Sequence, residues 1–467
     1  MNIIHRRRFL EAGSTAAGLA VLGTSSSSSA DDAGGHRNPD LFLAPFRFDV
    51  TPPMGHSLCG GWIKPVVAVD DPLEAIGFVL MGAGKPLVLC AVDWTGLLNE
   101  AHIEWRKALA EAAGTTPERV AVHCVHQHNA PLVCLESERI VLRQGDLPHI
   151  VELDFFRTCL DRARKSVAAG VKQARRVTHV AAGQARVEKV ASNRRVYRDA
   201  AGKVLTMRGS SCRDPKLQAL PEGLIDSWLK TVAFYDKDAK IAACHYYATH
   251  PMSYYGDGRV SSDFTGLARK QRQKDEPGCL HVYFTGCAGN IAAGKYNDGS
   301  KERRPVLTHR IYQGIVESEK GLRPEPVGEV TWRTHDILPP PRAGLTVEQL
   351  EQQIANKKNP VAARNRPSYQ LAWYRRVASE TPIVLSALAI NTITMLHLPA
   401  EAFVEYQLRA QEMQPKRFIA TAAYGDGGPW YIPIEEEYPN GGYEVSVAFC
   451  DPPVDAILTK GMRSLLS

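Results

Sequence analysis

The sequence predicts an α/β fold: a mixed, largely parallel β-sheet core flanked by helices, in one large unit over residues 46–467. Three observations predict it. Leu87 to Trp94 is an apolar run of strand length, Asn99 to Ala113 has helical periodicity ended by Gly114, and Arg119 to Val125 is a second apolar run. Such a strand–helix–strand unit places its two strands parallel in one sheet. Further apolar runs of strand length recur down the chain and end on histidine, glycine or proline. Finally, 44% apolar residues in 467 are enough for a large core, and no internal repeat or Pro/Ser linker marks a second folded domain.

The chain begins with the basic run His5-Arg6-Arg7-Arg8, then Phe9-Leu10, an apolar stretch from Ala16 to Leu22 and a serine tract ending at Ala30. This reads as an export signal over residues 1–30, its apolar part too short to span a bilayer. Arg6-Arg7-Arg8-Phe9-Leu10 resembles a twin-arginine signal, the route of already folded proteins, and implies a periplasmic or secreted location. Residues 31–45 are then a flexible lead-in.

From Phe46 a strand runs to the Pro52-Pro53 stop, followed by a turn at Gly60-Gly61. Leu153 to Val171 is an amphipathic helix and Val177 to Val187 a strand leading into Ser192-Asn193-Arg194-Arg195. Val196 to Leu220 is polar and irregular, long enough to be a functional or covering loop. Thr231 to Tyr235 and Ile241 to Thr249 form a hairpin through Asp236-Lys237-Asp238, and the second run ends in His250-Pro251. After Ser261-Ser262-Asp263 comes a helix to about Lys274, then the strand Cys279 to Phe284. That strand opens into Thr285-Gly286-Cys287-Ala288-Gly289-Asn290, whose glycines suit close backbone approach to a ligand but match no nucleotide-binding spacing. Arg303 to Lys320 is helical, and Thr346-Val347-Glu348-Gln349 is a capping box opening another helix. Ile383 to Leu398, interrupted by Asn391, makes two strands or one bent one. Glu401 follows at the first turn of a helix to Gln411, and Phe418 to Tyr424 is the last clear strand, before Trp430-Tyr431.

A formal charge of +6, small for the length, with no Lys/Arg cluster interleaved with aromatics implies no nucleic-acid footprint, and no nucleic-acid partner is expected. The ten cysteines form no Cys-x-x-Cys pair and mostly sit in strand-like runs, as small hydrophobes do; sequence cannot pair them into disulfides.

His126 and His128, two apart at a strand end, point to the same side, and Asn129 and Pro131 stop the strand so that both rings stand at its C-terminal mouth. An exposed histidine pair has the same local sequence, and a glutamate such as Glu401 at a helix start ordinarily only complements the helix dipole. Taken together, His126, His250, Glu401 and Tyr431 offer two imidazoles, a carboxylate and a phenol, a hard-to-borderline set that suits Zn2+ with room for water.

This ordered set resembles the neutral/alkaline ceramidase family of zinc-dependent amidases, from about Phe46 to Tyr443. His126-Gln127-His128-Asn129-Ala130-Pro131 matches its His-x-His-x-x-Pro, His250-Pro251 its His-Pro, and Ser262-Asp263 the following Ser-Asp. Leu398-Pro399-Ala400-Glu401 matches Leu-Pro-Gly-Glu with Ala400 for glycine, and Tyr431 and Tyr443 enclose Glu436-Glu437-Tyr438 as in the family. The resemblance implies zinc ligation by His126, His250, Glu401 and Tyr431. It also implies His128 and Tyr443 at the substrate oxygen, and Arg194 orienting a polar group. Two departures stand out. The family's serine nucleophile is replaced by Ala292 in Gly289-Asn290-Ile291-Ala292-Ala293-Gly294, its methyl expected to line the site, and the family's C-terminal β-sandwich domain has no counterpart. The implied activity is an exported zinc-dependent hydrolase cleaving an N-acyl amide through zinc-activated water, on a small-molecule, lipid or glycan substrate with an acyl linkage. The alternatives are a metal-dependent esterase, a glycan-directed hydrolase, or a catalytically silent zinc-containing binding protein.

Overall fold

Three sheets, each finished at one end by a single parallel pair, organise the chain. The structure, a computed structural model, describes residues 40–467; the export-signal residues lie outside them. In the first sheet the order is Val120–Cys124, Gly84–Val92, Glu74–Gly82, Leu41–Asp49, Arg175–Val177. Its parallel pair is the expected one: Val88 faces Val120 and Val92 faces Cys124, joined across the helix Glu100–Ala113. The second sheet runs Leu280–Thr285, Ala239–Tyr247, Trp228–Asp236, His179–Arg186, Glu325–Pro326, its first two strands parallel. The third runs Val330–Ile337, Ile383–Ile390, Ile393–His397, Phe418–Ala422, its last two strands parallel.

The fold is therefore mixed α/β as expected, but antiparallel neighbours predominate within the sheets. The reason is loop length. Tight turns at Gly82–Gly84, Lys237-Asp238 and Asn391-Thr392 reverse the chain, whereas a parallel neighbour needs a long crossover. A second difference lies at the lead-in: the first strand begins at Leu41, five residues before the expected Phe46, because Leu41, Leu43 and Ala44 are buried between two neighbouring strands.

The helices Leu153–Val171 and Arg303–Lys320 fall where their periodicity places them. In the former, Phe156, Leu160, Ala163 and Val167 form the buried stripe, each large side chain contributing about 1.5–3 kcal/mol. The Thr346 capping box is present. Several helices were not anticipated, two of them long. Val361–Ala378 contains Pro367 and is buried on most of its circumference, so neither an uninterrupted run nor a polar face marks it. Val454–Leu466 closes the chain against the third sheet. All ten cysteines are free and buried. No helix among the described residues is long and apolar enough to cross a membrane.

What positions the site is where the three parallel pairs end. Cys124 N donates to Tyr424 O (2.8 Å) and Ala423 N to Thr285 O (2.9 Å). Thr285 Oγ1 donates to Val125 O (2.7 Å). The C-terminal ends of strands from all three sheets are thus stitched together, the place where open α/β sheets gather ligands.

Candidate metal centre

His126 arrives by a different route from the one strand alternation predicts. The strand stops at Cys124, and His126 takes φ +77°, with its N–H donated to Trp94 O (2.9 Å). Even so, the rings of His126 and His128 meet edge-on, 5.0 Å apart, and both face one cavity. His250 follows the strand Ala239–Tyr247, and its N–H is donated to Ile291 O (3.0 Å).

Glu401 is not in a helix. Ala400 turns the chain at φ +52°, Glu401 then pairs directly with Tyr431 in a two-residue parallel ladder, and the helix begins only at Val404. That ladder brings carboxylate and phenol side by side. The glycines after Thr285 serve this segment rather than a ligand: a Cβ on Gly289 would stand 2.3 Å from Glu401 O.

The histidine tautomers follow from backbone contacts. His126 Nδ1 lies 2.6 Å from Thr95 O, and His250 Nδ1 lies 2.6 Å from Ala288 O and 3.0 Å from Ile291 O. A carbonyl only accepts, so in the neutral rings Nδ1 carries the hydrogen and Nε2 presents a lone pair. Those lone pairs converge on Glu401 Oε2, 3.2 Å from His126 Nε2 and 3.0 Å from His250 Nε2, and Tyr431 Oη is 3.4 Å from His250 Nε2. Among the described residues His126 Nε2 is buried without a hydrogen-bond partner. Burial pushes the His250 imidazole below its ordinary range, keeping it neutral. Electron pairs aimed at one point from two neutral imidazoles and a carboxylate repel one another, and a cation among them removes that repulsion. These three donors could hold a metal ion, with Nδ1 of each histidine oriented by a carbonyl as metal-binding histidines require.

The other expected residues border the same cavity, whose volume is about 430 Å³. His128 donates Nδ1–H to His126 O (3.2 Å), and Tyr443, 40% exposed, lies edge-on to Tyr431 with ring centroids 5.8 Å apart. Arg194 is already engaged. One nitrogen donates to Tyr431 Oη (3.3 Å) and Gly289 O (3.4 Å), and its Nε stands 3.2 Å from Glu444 Oε1. Burial would lower the Arg194 pKa, but Glu444 and Tyr431 raise it. Ala292 does not line the cavity: it is fully buried, opposite Ser192 in a short antiparallel pair, with Ser192 Oγ donating to its carbonyl (2.8 Å).

Sequence reasoning missed much of the wall. Tyr424 stacks on His126 with centroids 4.2 Å apart, Tyr255 meets His128, and Trp62, Trp430 and Arg366 complete the lining. Trp62 and Trp430 each follow a glycine-rich turn, a signal available in the sequence; Arg366 lies in the unanticipated helix and had none. A second buried group, His245, His281 and Glu319, has ligand atoms close enough for an ion. Lys240 and Arg272 already neutralise Glu319 there at 2.9 and 2.7 Å, so a further cation is disfavoured.

The sequence matches no protein-family profile and no curated protein. Among solved structures, the neutral ceramidase from Pseudomonas aeruginosa superposes with a TM-score of 0.66 at 17% identity, over 92% of this chain and 74% of that one. The fold is ceramidase-like. A ceramidase complexed with C2 superposes equally well, TM-score 0.66 at 15% identity, over 92% of this chain and 75% of that one.

Proposed function

We propose that the protein is an exported, zinc-dependent hydrolase that cleaves the amide bond of N-acyl compounds. The observation that carries this reading is the convergence of His126 Nε2, His250 Nε2 and Glu401 Oε2 at one end of a largely apolar cavity. The ceramidase-like fold supports it. Zinc held by His126, His250, Glu401 and Tyr431 would supply Lewis acidity, activating water near neutral pH and polarising the substrate carbonyl.

His128 gives its Nδ1 hydrogen to His126 O, which leaves Nε2 as an acceptor. It therefore takes the proton released as water attacks and delivers it to the leaving nitrogen, a task different from the oxyanion contact implied by the family resemblance. Tyr443 makes that contact: burial raises its phenol above the ordinary range, so it stays protonated and donates to the developing oxyanion. Arg194 acts through Tyr431, holding the phenol oxygen in place. The acyl group packs against Leu98, Leu132, Ile63 and Met252. Ala292 carries no hydroxyl and is not among the residues lining the cavity, which leaves the attack to water rather than to a serine at that position.

The test has two parts. Elemental analysis should find one zinc per wild-type chain and little in His126→Ala or His250→Ala. Purified protein should release amine from N-acyl lipids or N-acyl sugars and lose that turnover to a chelator. Full zinc in both variants overturns the ligand set. Zinc without turnover of any amide or ester makes the protein a binding protein.

A further inference from the structure

The cavity holds a positive charge that the proposed chemistry does not use. Arg364 and Arg376, on the same helix as Arg366, are each pinned to a carboxylate: Arg364 to Asp146 at 2.9 Å and Arg376 to Asp426 at 2.5 Å. Arg194, across the cavity, has Glu444. Arg366 lies between its helical neighbours and faces the cavity. Among the described residues no carboxylate stands within ion-pair distance of it, and its buried Nε has no hydrogen-bond partner.

Two aromatic faces hold the guanidinium without occupying its donors. Its Cζ lies 5.4 Å from the Trp62 ring centroid and 5.9 Å from that of Tyr443. Cation–π contact of this kind fixes the plane of the fork and leaves its N–H groups for a ligand. The nearby Cys59 thiol supplies no counter-charge, since burial pushes it up to about 12. Arg366 is half-buried and Tyr443 is partly exposed, so this corner lies toward solvent, with Tyr443 between it and Tyr431.

We infer that Arg366 is an anion subsite at the mouth of the cavity, and that the acyl-linked substrate carries a carboxylate on the part that reaches it. The carboxylate is favoured because one guanidinium offers one charge and a two-pronged set of donors, which match a planar monoanion. A phosphomonoester dianion would keep an uncompensated charge beside two aromatic rings. Cleavage of such a substrate rests on the hydrolase reading above; its binding does not.

The test uses the zinc-loaded full chain, N-dodecanoylglycine and its neutral partner N-dodecanoylglycinamide. Calorimetry gives both affinities for wild type, Arg366→Gln and Arg366→Lys, and released glycine or glycinamide is followed separately. Wild type should prefer the carboxylate by roughly 10- to 100-fold, the yield of a bidentate charge-assisted pair. The ratio should fall to near one in Arg366→Gln and stay intermediate in Arg366→Lys. A wild-type ratio near one, no binding of either compound, or an undiminished ratio in Arg366→Gln overturns the subsite. The last result would mean that the metal reads the carboxylate. Preference without turnover upholds the subsite and counts against the hydrolase; turnover without preference does the reverse.

Discussion

Glu401→Gln should reverse the order of stability of wild type and variant when zinc is added. In metal-free protein the carboxylate oxygen faces two imidazole nitrogens at 3.0 and 3.2 Å, all buried. An amide of the same shape removes the buried anion and donates an N–H to His250 Nε2, so the variant should equal wild type or exceed it by about 1 kcal/mol. With zinc the order inverts, because a neutral amide is a poor ligand. Take free zinc at a hundred times the wild-type dissociation constant. Wild type then gains about 2.7 kcal/mol, whereas a variant binding a hundredfold more weakly gains about 0.4 kcal/mol. Urea unfolding in chelator and in a zinc buffer reads both increments, and competition with a chromophoric chelator gives the affinities. Equal zinc increments in the two proteins would refute the ligand assignment. A variant less stable under both conditions would show that Glu401 is a structural carboxylate.

Four further outcomes follow from particular residues. Ala400 sits at φ +52°, a conformation that costs a non-glycine residue about 1–2 kcal/mol, partly offset by glycine's freer unfolded chain, so Ala400→Gly should raise stability by about 0.5 kcal/mol in urea unfolding without changing zinc content. His102 and His123 are buried and pushed down by that burial to about 4 and about 3. The unfolded chain therefore takes up protons first as pH drops, and the stability present above pH 6.5 should fall by about 2 kcal/mol per histidine at pH 5, read from urea midpoints. Ala292→Ser adds a hydroxyl at a fully buried position, so it should cost about 1–3 kcal/mol, and hydroxylamine should trap no acyl-enzyme. Replacing Arg6 and Arg7 together by lysine should leave precursor in the cytoplasm on fractionation, since a twin-arginine receptor reads guanidinium geometry as well as charge.

By itself the sequence determined the elements whose signals are local. Leu153–Val171 and Arg303–Lys320 follow from a 3.6-residue stripe, the Thr346 cap from a four-residue box, and the Gly84–Val92 to Val120–Cys124 parallel pair from one crossover helix of sufficient length. It also singled out His126, His250, Glu401 and Tyr431, through their order along the chain and the family that order resembles, since each alone has an ordinary structural reading. Val361–Ala378 stayed hidden, since a helix buried on most sides and carrying Pro367 has no stripe to detect. Only the tertiary structure decided that Glu401 pairs with Tyr431 instead of starting a helix, that His126 leaves its strand at positive φ, and that Ala292 stays out of the cavity. It alone decided that Arg194 is neutralised while Arg366 is not. The physical reason is range. Periodicity and capping depend on residues a few positions apart, whereas convergence of lone pairs and compensation of charge depend on groups hundreds of positions apart, which only the packed sheets bring within a few ångströms.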